Sequence, residues 1–205
     1  EMAIHSYKEA IKIKPSYAEA HFSHDKLANL TLDNWRTRPE TAPAAGMTGM
    51  GVHLTDLMIW LFGSVKTVFA STSHRALKYK TGDVVTASLI HETGLNTQIT
   101  AILKTPHYQR VTIWGENGWA ELVDSSHPDT PGPSTLKIVM NDGNTINKFY
   151  EWSDTVSKNI HHFVDAAKGS ATYLFSDMEK YQNIAILEAI YNSSQIGQPI
   201  IIKKL

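Results

Sequence analysis

Apolar residues recur at helical spacing in four parts of the chain, and each part is followed by a residue typical of helix termini. The predicted helices span residues 2–13, 52–62, 153–168 and 176–196. Pro15 follows the first helix, and Gly63, Gly169 and Gly197 follow the other three. Proline restricts the residue before it, and glycine readily adopts the left-handed conformation of a helix C-terminus, so these positions predict where the helices stop.

Between residues 65 and 152 the apolar pattern changes to alternation, which is typical of half-buried β-strands. The predicted strands span residues 65–77, 83–91, 97–104, 109–115, 119–123, 136–141 and 145–152, with a shorter one at 200–202. Turns such as Glu116-Asn117-Gly118 and Asp142-Gly143-Asn144 supply the glycine and asparagine that tight hairpins require. Hairpins pair antiparallel, so we expect an α+β fold with helices packed on one face of a large, mostly antiparallel sheet.

The second face of this sheet has a mixed composition. Val111 and Ile113 share one side of their strand, whereas Arg110, Thr112 and Trp114 share the other. A mixed face with aromatic side chains is typical of subunit interfaces, although an antiparallel sheet also tolerates a face open to water. We favour self-association through this face, into a homodimer or a larger homo-oligomer.

Charge and composition narrow the classes of function. The 205 residues include 19 Lys and Arg against 20 Asp and Glu, for a formal charge of -1. This balance gives no bulk attraction to nucleic acid or to an anionic membrane. The chain has no apolar run long enough to span a membrane, no signal-peptide pattern at its start and no cysteine. We therefore expect a cytoplasmic protein that binds neither nucleic acid nor membranes.

One segment is more informative than the rest of the chain. The run Gly46-Met47-Thr48-Gly49-Met50-Gly51-Val52-His53 brings a histidine to the start of a helix through a glycine-rich approach. It resembles the start of the second domain of the glucose-fructose oxidoreductase / inositol dehydrogenase / MocA family, whose members use NAD(P) to oxidise or reduce sugars and cyclitols. Residues 115–122, 159–169 and 183–200 resemble later parts of that domain, in the same order. The resemblance extends from about residue 22 to the end of the chain. Residues 17–23 are ambiguous by themselves, because Ala18-Glu19-Ala20 favours a helix, and the resemblance implies a strand there.

The resemblance implies the substrate-binding and oligomerisation domain of an NAD(P)-dependent sugar or cyclitol oxidoreductase. No Gly-x-Gly-x-x-Gly follows a strand near the start, and the Glu-Lys-Pro triplet that supplies the family's lysine is absent. We therefore expect no cofactor-binding residues, no tight binding of NAD or NADP, and activity only beside a nucleotide-binding domain. Whether the chain is an enzyme stays open. The alternative function is a non-catalytic, self-associating binding or adaptor module.

His53 is the candidate catalytic residue and a candidate substrate ligand. Histidine exchanges protons near neutral pH, and oxidation of a hydroxyl group needs a base for its proton. The glycines at 46, 49 and 51 are expected to leave room for a substrate or cofactor ring. The family has an aspartate four residues before this histidine, where this chain has Gly49. The competing interpretation is a helix-terminal histidine that bonds only to backbone.

Trp35, Arg36 and His24 are the other candidate substrate-binding residues. Trp35 and Arg36 resemble the family's Trp-Arg loop, and their side chains are suited to stacking on a polyol and hydrogen bonding to it. Packing of a surface loop is their alternative role. His24 lies in a polar turn after a predicted strand and is expected either to line the same pocket or to be solvated.

We expect no metal site. Asp56 follows His53 by three residues and is interpreted as a first-turn carboxylate stabilised by the helix dipole. His161 and His162 are adjacent on a helix, so their side chains point about 100° apart and cannot share an ion. The remaining histidines, expected to be structural or exposed, are His74, His91, His107 and His127.

The start of the chain carries a second resemblance. Residues 3–20 are similar to the second helix of a tetratricopeptide repeat and its join to the next repeat, although no second copy follows. We therefore divide the chain into a helical segment over residues 1–16 and an α+β domain over residues 17–205. The first segment is interpreted as extraneous to the oxidoreductase-like domain or as an adaptor helix.

Overall fold

The computed structural model describes residues 13–203. The helix expected over residues 2–13 and most of the repeat-like run fall outside this part of the chain. Residues 15–20, which complete that run, belong to a β-strand rather than to a helix. The similarity to a tetratricopeptide repeat therefore has no support from the described residues.

Nine strands and three α-helices make up the described part of the chain. The strands are β1 (Pro15–Ser23), β2 (Val65–Ser73), β3 (Val84–His91), β4 (Asn96–Ile102), β5 (Tyr108–Gly115), β6 (Gly118–Asp124), β7 (Ser134–Met140), β8 (Thr145–Tyr150) and β9 (Ile200–Ile201). The helices are α1 (Gly51–Phe62), α2 (Thr155–Ala167) and α3 (Asp177–Ile196), and short 3₁₀ turns cover Trp35–Thr37 and Ala45–Met47. Each of these strands and α-helices coincides with a predicted element.

The strand order is β8-β7-β6-β5-β1-β4-β3-β2-β9 in a single sheet. β1 lies in the middle of this sheet, parallel to β4 on one side and antiparallel to β5 on the other. All other neighbouring strands pair antiparallel. The expected α+β fold with a large, mostly antiparallel sheet is therefore confirmed.

The hydrophobic core lies between one face of the sheet and the helices α1 and α3. The sheet contributes alternate residues of each strand, such as Ala18, Ala20 and Phe22 in β1. The helices contribute Leu54, Met58 and Ile59 from α1 and Ile186, Ala189 and Ile190 from α3. The opposite face of the sheet is more open, since Phe69 and Ile90 there are 46% and 41% exposed.

Buried polar side chains fix α3 against α1 and the sheet. Thr55 Oγ1 donates a hydrogen bond to Asn183 Oδ1 at 2.5 Å, which joins α1 to α3. Gln182 Oε1 accepts from the backbone N–H of Val65 at 3.2 Å, which joins α3 to β2. Thr55 and Gln182 are both buried, so these bonds satisfy polar groups that would otherwise destabilise the core.

Helix α2 differs from the other two helices because none of its residues is buried. Val156, Ile160 and Phe163 form an apolar stripe on α2, and each is more than half exposed. The helix begins where Asp154 accepts a hydrogen bond from Ser157 N at 2.8 Å. Its amphipathic pattern therefore fixes its secondary structure without burying its apolar face.

Strand β2 ends at Ser73, four residues earlier than its alternation predicts. The carboxylate of Asp83 accepts the backbone N–H groups of Arg75, Ala76 and Leu77 at 2.8, 2.5 and 2.6 Å. Those N–H groups are then unavailable to a neighbouring strand. A buried side chain therefore ends the strand, which the apolar pattern alone does not reveal.

Candidate functional site

Four histidines surround one phenylalanine at the edge of the sheet where β1 and β4 end. The ring centroid of Phe22 lies 5.3 Å from that of His24, 6.5 Å from His53, 6.3 Å from His107 and 5.6 Å from His127. His127 lies 4.8 Å from His24 and 6.3 Å from His107. These four imidazoles, termed the histidine cluster, come from four separate segments of the chain.

The topology explains why these segments meet. Phe22 is the penultimate residue of β1, and His24 follows that strand directly. β5 and β7 begin at this edge and β6 ends there, so the connections holding His107 and His127 also lie there. His53 reaches the same place from the first turn of α1. The structure thus brings the predicted residues His24 and His53 together.

His107 and His127, for which the sequence predicts a structural or exposed place, lie beside His24 and Phe22. Their spacing along the chain carries no motif. The available signal was topological, because both lie in connections at the edge where β1 ends. His91, in contrast, is structural: it is buried, with Nδ1 beside Gly63 O at 2.8 Å and Nε2 beside Thr97 Oγ1 at 3.1 Å.

His24 is the most enclosed member of the cluster, with 5% of its surface exposed. Its Nδ1 accepts the backbone N–H of Lys26 at 3.2 Å, so Nε2 carries the hydrogen of the neutral ring. Burial lowers the pKa of His24 to about 4, and the positive charges of His127, Lys26 and His107 act in the same direction. The ring is therefore neutral at physiological pH.

His53 is an exposed residue, although the protein around it partly desolvates its ring. Its backbone N–H donates to Met50 O at 3.1 Å, as expected for a residue in the first turn of a helix. Desolvation lowers the pKa of His53, with a smaller effect of His127 in the same direction, while Asp56 opposes the shift. A neutral imidazole with an accessible ring is suited to accepting a proton.

Asp56 lies in the second turn of α1, which corrects the expectation of a first-turn carboxylate. Burial raises the pKa of Asp56, as does the charge of Glu179, whereas His53 lowers it. Asp56 thus interacts electrostatically with His53 although Gly49 replaces the family's aspartate. The local carboxylate comes from the helix rather than from the glycine-rich approach.

The glycine-rich approach packs against the core rather than leaving a uniform space for a ligand. A Cβ atom on Gly51 would lie 2.2 Å from Met47 Sδ, and one on Gly46 would lie 3.1 Å from Met50 Cε. Both glycines are buried. Gly49 is exposed, and a Cβ atom there would meet only Leu27 Cδ1, at 2.9 Å. Close packing therefore contradicts the expectation of ligand space at Gly46 and Gly51, and at Gly49 that expectation stays a prediction.

Trp35 and Arg36 form an exposed 3₁₀ turn. The guanidinium carbon of Arg36 lies 4.3 Å from the ring centroid of Trp35, and Arg36 N donates to Asn34 Oδ1 at 3.0 Å. Within residues 13–203, the hydrogen bonds and ring contacts of this pair stay inside residues 34–41. The structure does not bring these two side chains into contact with the histidine cluster.

A polar link holds the loop that carries His127. Lys26 Nζ donates to the two carboxylate oxygens of Asp129 at 2.5 and 2.7 Å, and His127 Nδ1 lies 2.8 Å from Asp129 Oδ1. Hydrogen bonds from Lys26, Thr130 and His127 keep the pKa of Asp129 well below its usual range. The turn after β1 and the loop after β6 are therefore tied together beside the cluster.

Residues 13–203 carry no feature typical of a metal site or of a membrane-spanning helix. No group of three or more His, Cys, Asp or Glu side chains in this part of the chain has an arrangement that could hold a metal ion. None of the helices described is long and apolar enough to cross a membrane.

Comparison with known proteins adds a family and a fold. A sequence model described as the GFO/IDH/MocA C-terminal domain matches residues 14–121. No curated protein matches the sequence. One similar solved structure is assigned as an NADPH-dependent oxidoreductase from Desulfitobacterium hafniense, with 22% identity and a TM-score of 0.85, over 98% of this chain and 61% of that one.

Two further solved structures are similar at lower identity. An aldose-aldose oxidoreductase from Caulobacter crescentus, complexed with glycerol, has 13% identity and a TM-score of 0.79, over 98% of this chain and 60% of that one. Levoglucosan dehydrogenase in complex with NADH and levoglucosan has 16% identity and a TM-score of 0.76, over 97% of this chain and 61% of that one. These likenesses establish a shared fold. The chain spans about 60% of the length of each of these proteins.

Proposed function

Because this chain belongs to the GFO/IDH/MocA C-terminal domain family, we propose that it is the substrate-binding and self-association part of an NAD(P)-dependent sugar or cyclitol oxidoreductase. The observation that carries this proposal is the convergence of His24 and His53 beside Phe22 at one edge of the sheet. A polyol needs several hydrogen-bonding groups around a partly apolar surface, and this edge supplies both. Glycerol and levoglucosan, bound by two proteins of the same fold, are polyols of this kind.

In this proposal His53 accepts the proton of the hydroxyl group that is oxidised. Its lowered pKa keeps the imidazole neutral and able to accept that proton. His24 donates from Nε2 to a neighbouring hydroxyl, because its Nδ1 is occupied by the backbone of Lys26. Trp35 and Arg36 are proposed as outer contacts of a larger substrate, since they lie exposed in a separate loop.

The nucleotide cofactor does not fit the described residues. Among residues 13–203, β1 and β4 are the one parallel pair of strands, and no glycine-rich turn leads from a strand into a helix that faces a crevice between parallel strands. We therefore propose that NAD or NADP is bound by a nucleotide-binding domain, on a longer parent chain or on a separate one. The part described here would then be inactive alone.

The open face of the sheet is proposed as the surface through which copies of the chain associate. It combines exposed apolar side chains such as Phe69 and Ile90 with a network in which Arg110 lies between Glu19 and Glu121. Apolar patches beside satisfied charges are typical of subunit interfaces. A homodimer or larger homo-oligomer would cover this face.

Ligand titration tests the proposed substrate site. The histidine ring signals of the labelled chain would be followed by NMR during addition of glucose, myo-inositol, gluconate and glucose 6-phosphate. We expect at least one polyol to shift the signals of His24 and His53 but not those of His74, which is exposed and follows β2, three strands away from β1. His53→Ala should weaken this binding at least about tenfold, whereas His74→Ala should leave it unchanged.

The same titration can also contradict the proposal. If none of the four polyols perturbs the cluster, the proposed substrate site is wrong. A parallel titration with NADH and NADPH should give no tight binding, and sub-micromolar binding would contradict the proposal that the nucleotide site lies elsewhere.

A non-catalytic, self-associating module is the second candidate, and Gly49 favours it because the family's aspartate is missing there. The DNA upstream distinguishes the two candidates. A continuous reading frame that encodes Gly-x-Gly-x-x-Gly and Glu-Lys-Pro supports the oxidoreductase. Repeats of 34 residues support an adaptor.

A further inference from the structure

The histidine cluster concentrates potential positive charge at one place. Four imidazoles lie around Phe22, and the ammonium group of Lys26 is close enough to His24 and His107 to lower the pKa of each. Adding a proton to one ring is opposed by the others, since His127 also disfavours the charged form of His53. Repulsion of this kind is relieved by a nearby negative charge.

The carboxylates near the cluster have other partners. Asp129 accepts from Lys26 and also from Thr130 Oγ1 at 2.8 Å, and Asp124 accepts from Ser134 Oγ. Asp56 interacts with His53 from α1 but also faces Glu179 of α3. Asp25, in the turn after β1, is exposed. Asp129 Oδ1 lies 2.8 Å from His127 Nδ1, and Asp124 and Asp56 act on His107 and His53, so these carboxylates offset part of the positive potential of the cluster.

Several ring nitrogens in the cluster have no hydrogen-bond partner among residues 13–203. His24 uses Nδ1 for the backbone of Lys26, and His127 uses Nδ1 for Asp129, so each has Nε2 available. Within the described residues, neither ring nitrogen of His107 has a hydrogen-bond partner of good geometry, although both are buried. The backbone of Asp124 is close enough to favour the charged form of His107. Buried polar atoms without partners are costly, so a ligand that bonds to them gains affinity.

We propose that the histidine cluster binds a polyol that carries a negatively charged oxygen group, and that this group lies among His24, His107 and His127. This inference rests on the proposed function and narrows its substrate class from sugars and cyclitols to their acidic derivatives. A sugar carboxylate and a sugar phosphate share the required chemistry, because both offer anionic oxygens to imidazole N–H groups.

Binding of such an anion must be coupled to proton uptake. The free cluster resists protonation because burial and mutual repulsion lower the pKa values of His24, His53 and His107. A bound anion favours the charged imidazole and raises those pKa values, so its affinity rises as the pH falls from 8 to 6. A neutral polyol uses the same N–H groups without taking up a proton, so its affinity changes little over that range.

Isothermal titration calorimetry tests the proposal with gluconate, glucose 6-phosphate, glucose and inorganic phosphate at pH 6, 7 and 8. We expect gluconate or glucose 6-phosphate to bind at least about tenfold more tightly than glucose at pH 6, with a smaller advantage at pH 8. Comparison of the two acids identifies the carboxylate or the phosphate as the preferred group. Buffers with different ionisation enthalpies should report net proton uptake for gluconate, whose carboxylate stays ionised from pH 6 to 8, and none for glucose.

Substitution of single histidines tests which rings contact the anionic group. His127→Gln and His107→Gln should each reduce the advantage of the acid over glucose at least about fivefold, while His74→Gln should not. Thermal melts check that the variants fold, and His127, in a loop outside the sheet, is the variant least dependent on the core.

The outcomes distinguish a failure of this inference from a failure of the proposed function on which it rests. If glucose and the acids bind the cluster equally at every pH, the requirement for a negatively charged group is wrong and the proposed function stands. If inorganic phosphate binds as tightly as glucose 6-phosphate, the polyol requirement is wrong. If no compound binds, both proposals fail.

Discussion

At the residue scale, His24 connects the histidine cluster to the pH dependence of folding. Its pKa is about 4 in the folded protein, below the 6.5 of an ordinary histidine. As the pH falls below 6.5, the unfolded chain takes up the proton first. The contribution of His24 to the free energy of unfolding is therefore fully present above pH 6.5 and is lost progressively toward pH 4. Acid sensitivity in this window is therefore expected from a neutral, enclosed imidazole.

Replacement of His24 tests this linkage. Between pH 7 and pH 5, His24→Asn should lose about 1 kcal/mol less unfolding free energy than the native chain, after allowance for solvent screening. Urea unfolding at the two pH values measures this difference. The exposed His74→Asn is the matched control, and an equal loss in His24→Asn and the native chain would contradict the assignment.

Asp83 is the second residue with a large expected effect. Its burial would raise the pKa of its carboxyl, but three backbone N–H groups outweigh that effect and lower it. Asp83→Asn places an amide against those donors and should cost about 3 kcal/mol of unfolding free energy at pH 7. Asp142→Asn is the control. Asp142 accepts one backbone N–H and one side-chain N–H, both from Asn144 in an exposed turn, so this change should cost less than about 0.5 kcal/mol.

Sequence reasoning identified part of the site at this scale. It selected His53 and His24 because a resemblance and a polar turn pointed to them, and the structure places both beside Phe22. It did not find His107 and His127, because proximity across a sheet edge depends on strand order rather than on spacing. Their roles in binding stay predictions.

At the element scale, α2 and α3 are both amphipathic in sequence but differ in what they bury. Ile160 on α2 is 57% exposed, whereas Ile186 on α3 is fully buried. Ile186→Ala should therefore destabilise the protein by about 2–5 kcal/mol, and Ile160→Ala by less than about 0.5 kcal/mol. Chemical denaturation of both variants measures the contrast, and equal losses would mean that something covers α2 in solution.

Periodicity, capping residues and turn residues predict the described α-helices and all described strands except β1, because those elements depend on local pattern. β1 is expected only from the family resemblance, since Ala18-Glu19-Ala20 favours a helix. The same signals contain no information on which strands become neighbours. The place of β1 between β4 and β5, and its parallel pairing with β4, thus could not be derived from alternation. The early end of β2 depends on Asp83, ten residues beyond Ser73 in sequence.

At the scale of the whole molecule, the open sheet face predicts self-association. Ile90→Lys places a charge within the exposed apolar part of that face and should weaken association at least about tenfold. Ile160→Lys adds the same charge on α2 and should not. Analytical ultracentrifugation across a concentration series measures both, and a native chain that stays monomeric at the highest concentration would contradict the interface.

The central position of β1 also has a consequence for biogenesis. Its two neighbours are made of residues 96–102 and 108–115, so the first described strand leaves the ribosome long before either exists. β1 must therefore remain unpaired and accessible to chaperones until the β3–β4 and β5–β6 hairpins can pair with it. A chain without β1 would have a gap one strand wide between β5 and β4. A synthetic peptide of residues 13–25, added in trans, should fill this gap and restore the nine-stranded sheet.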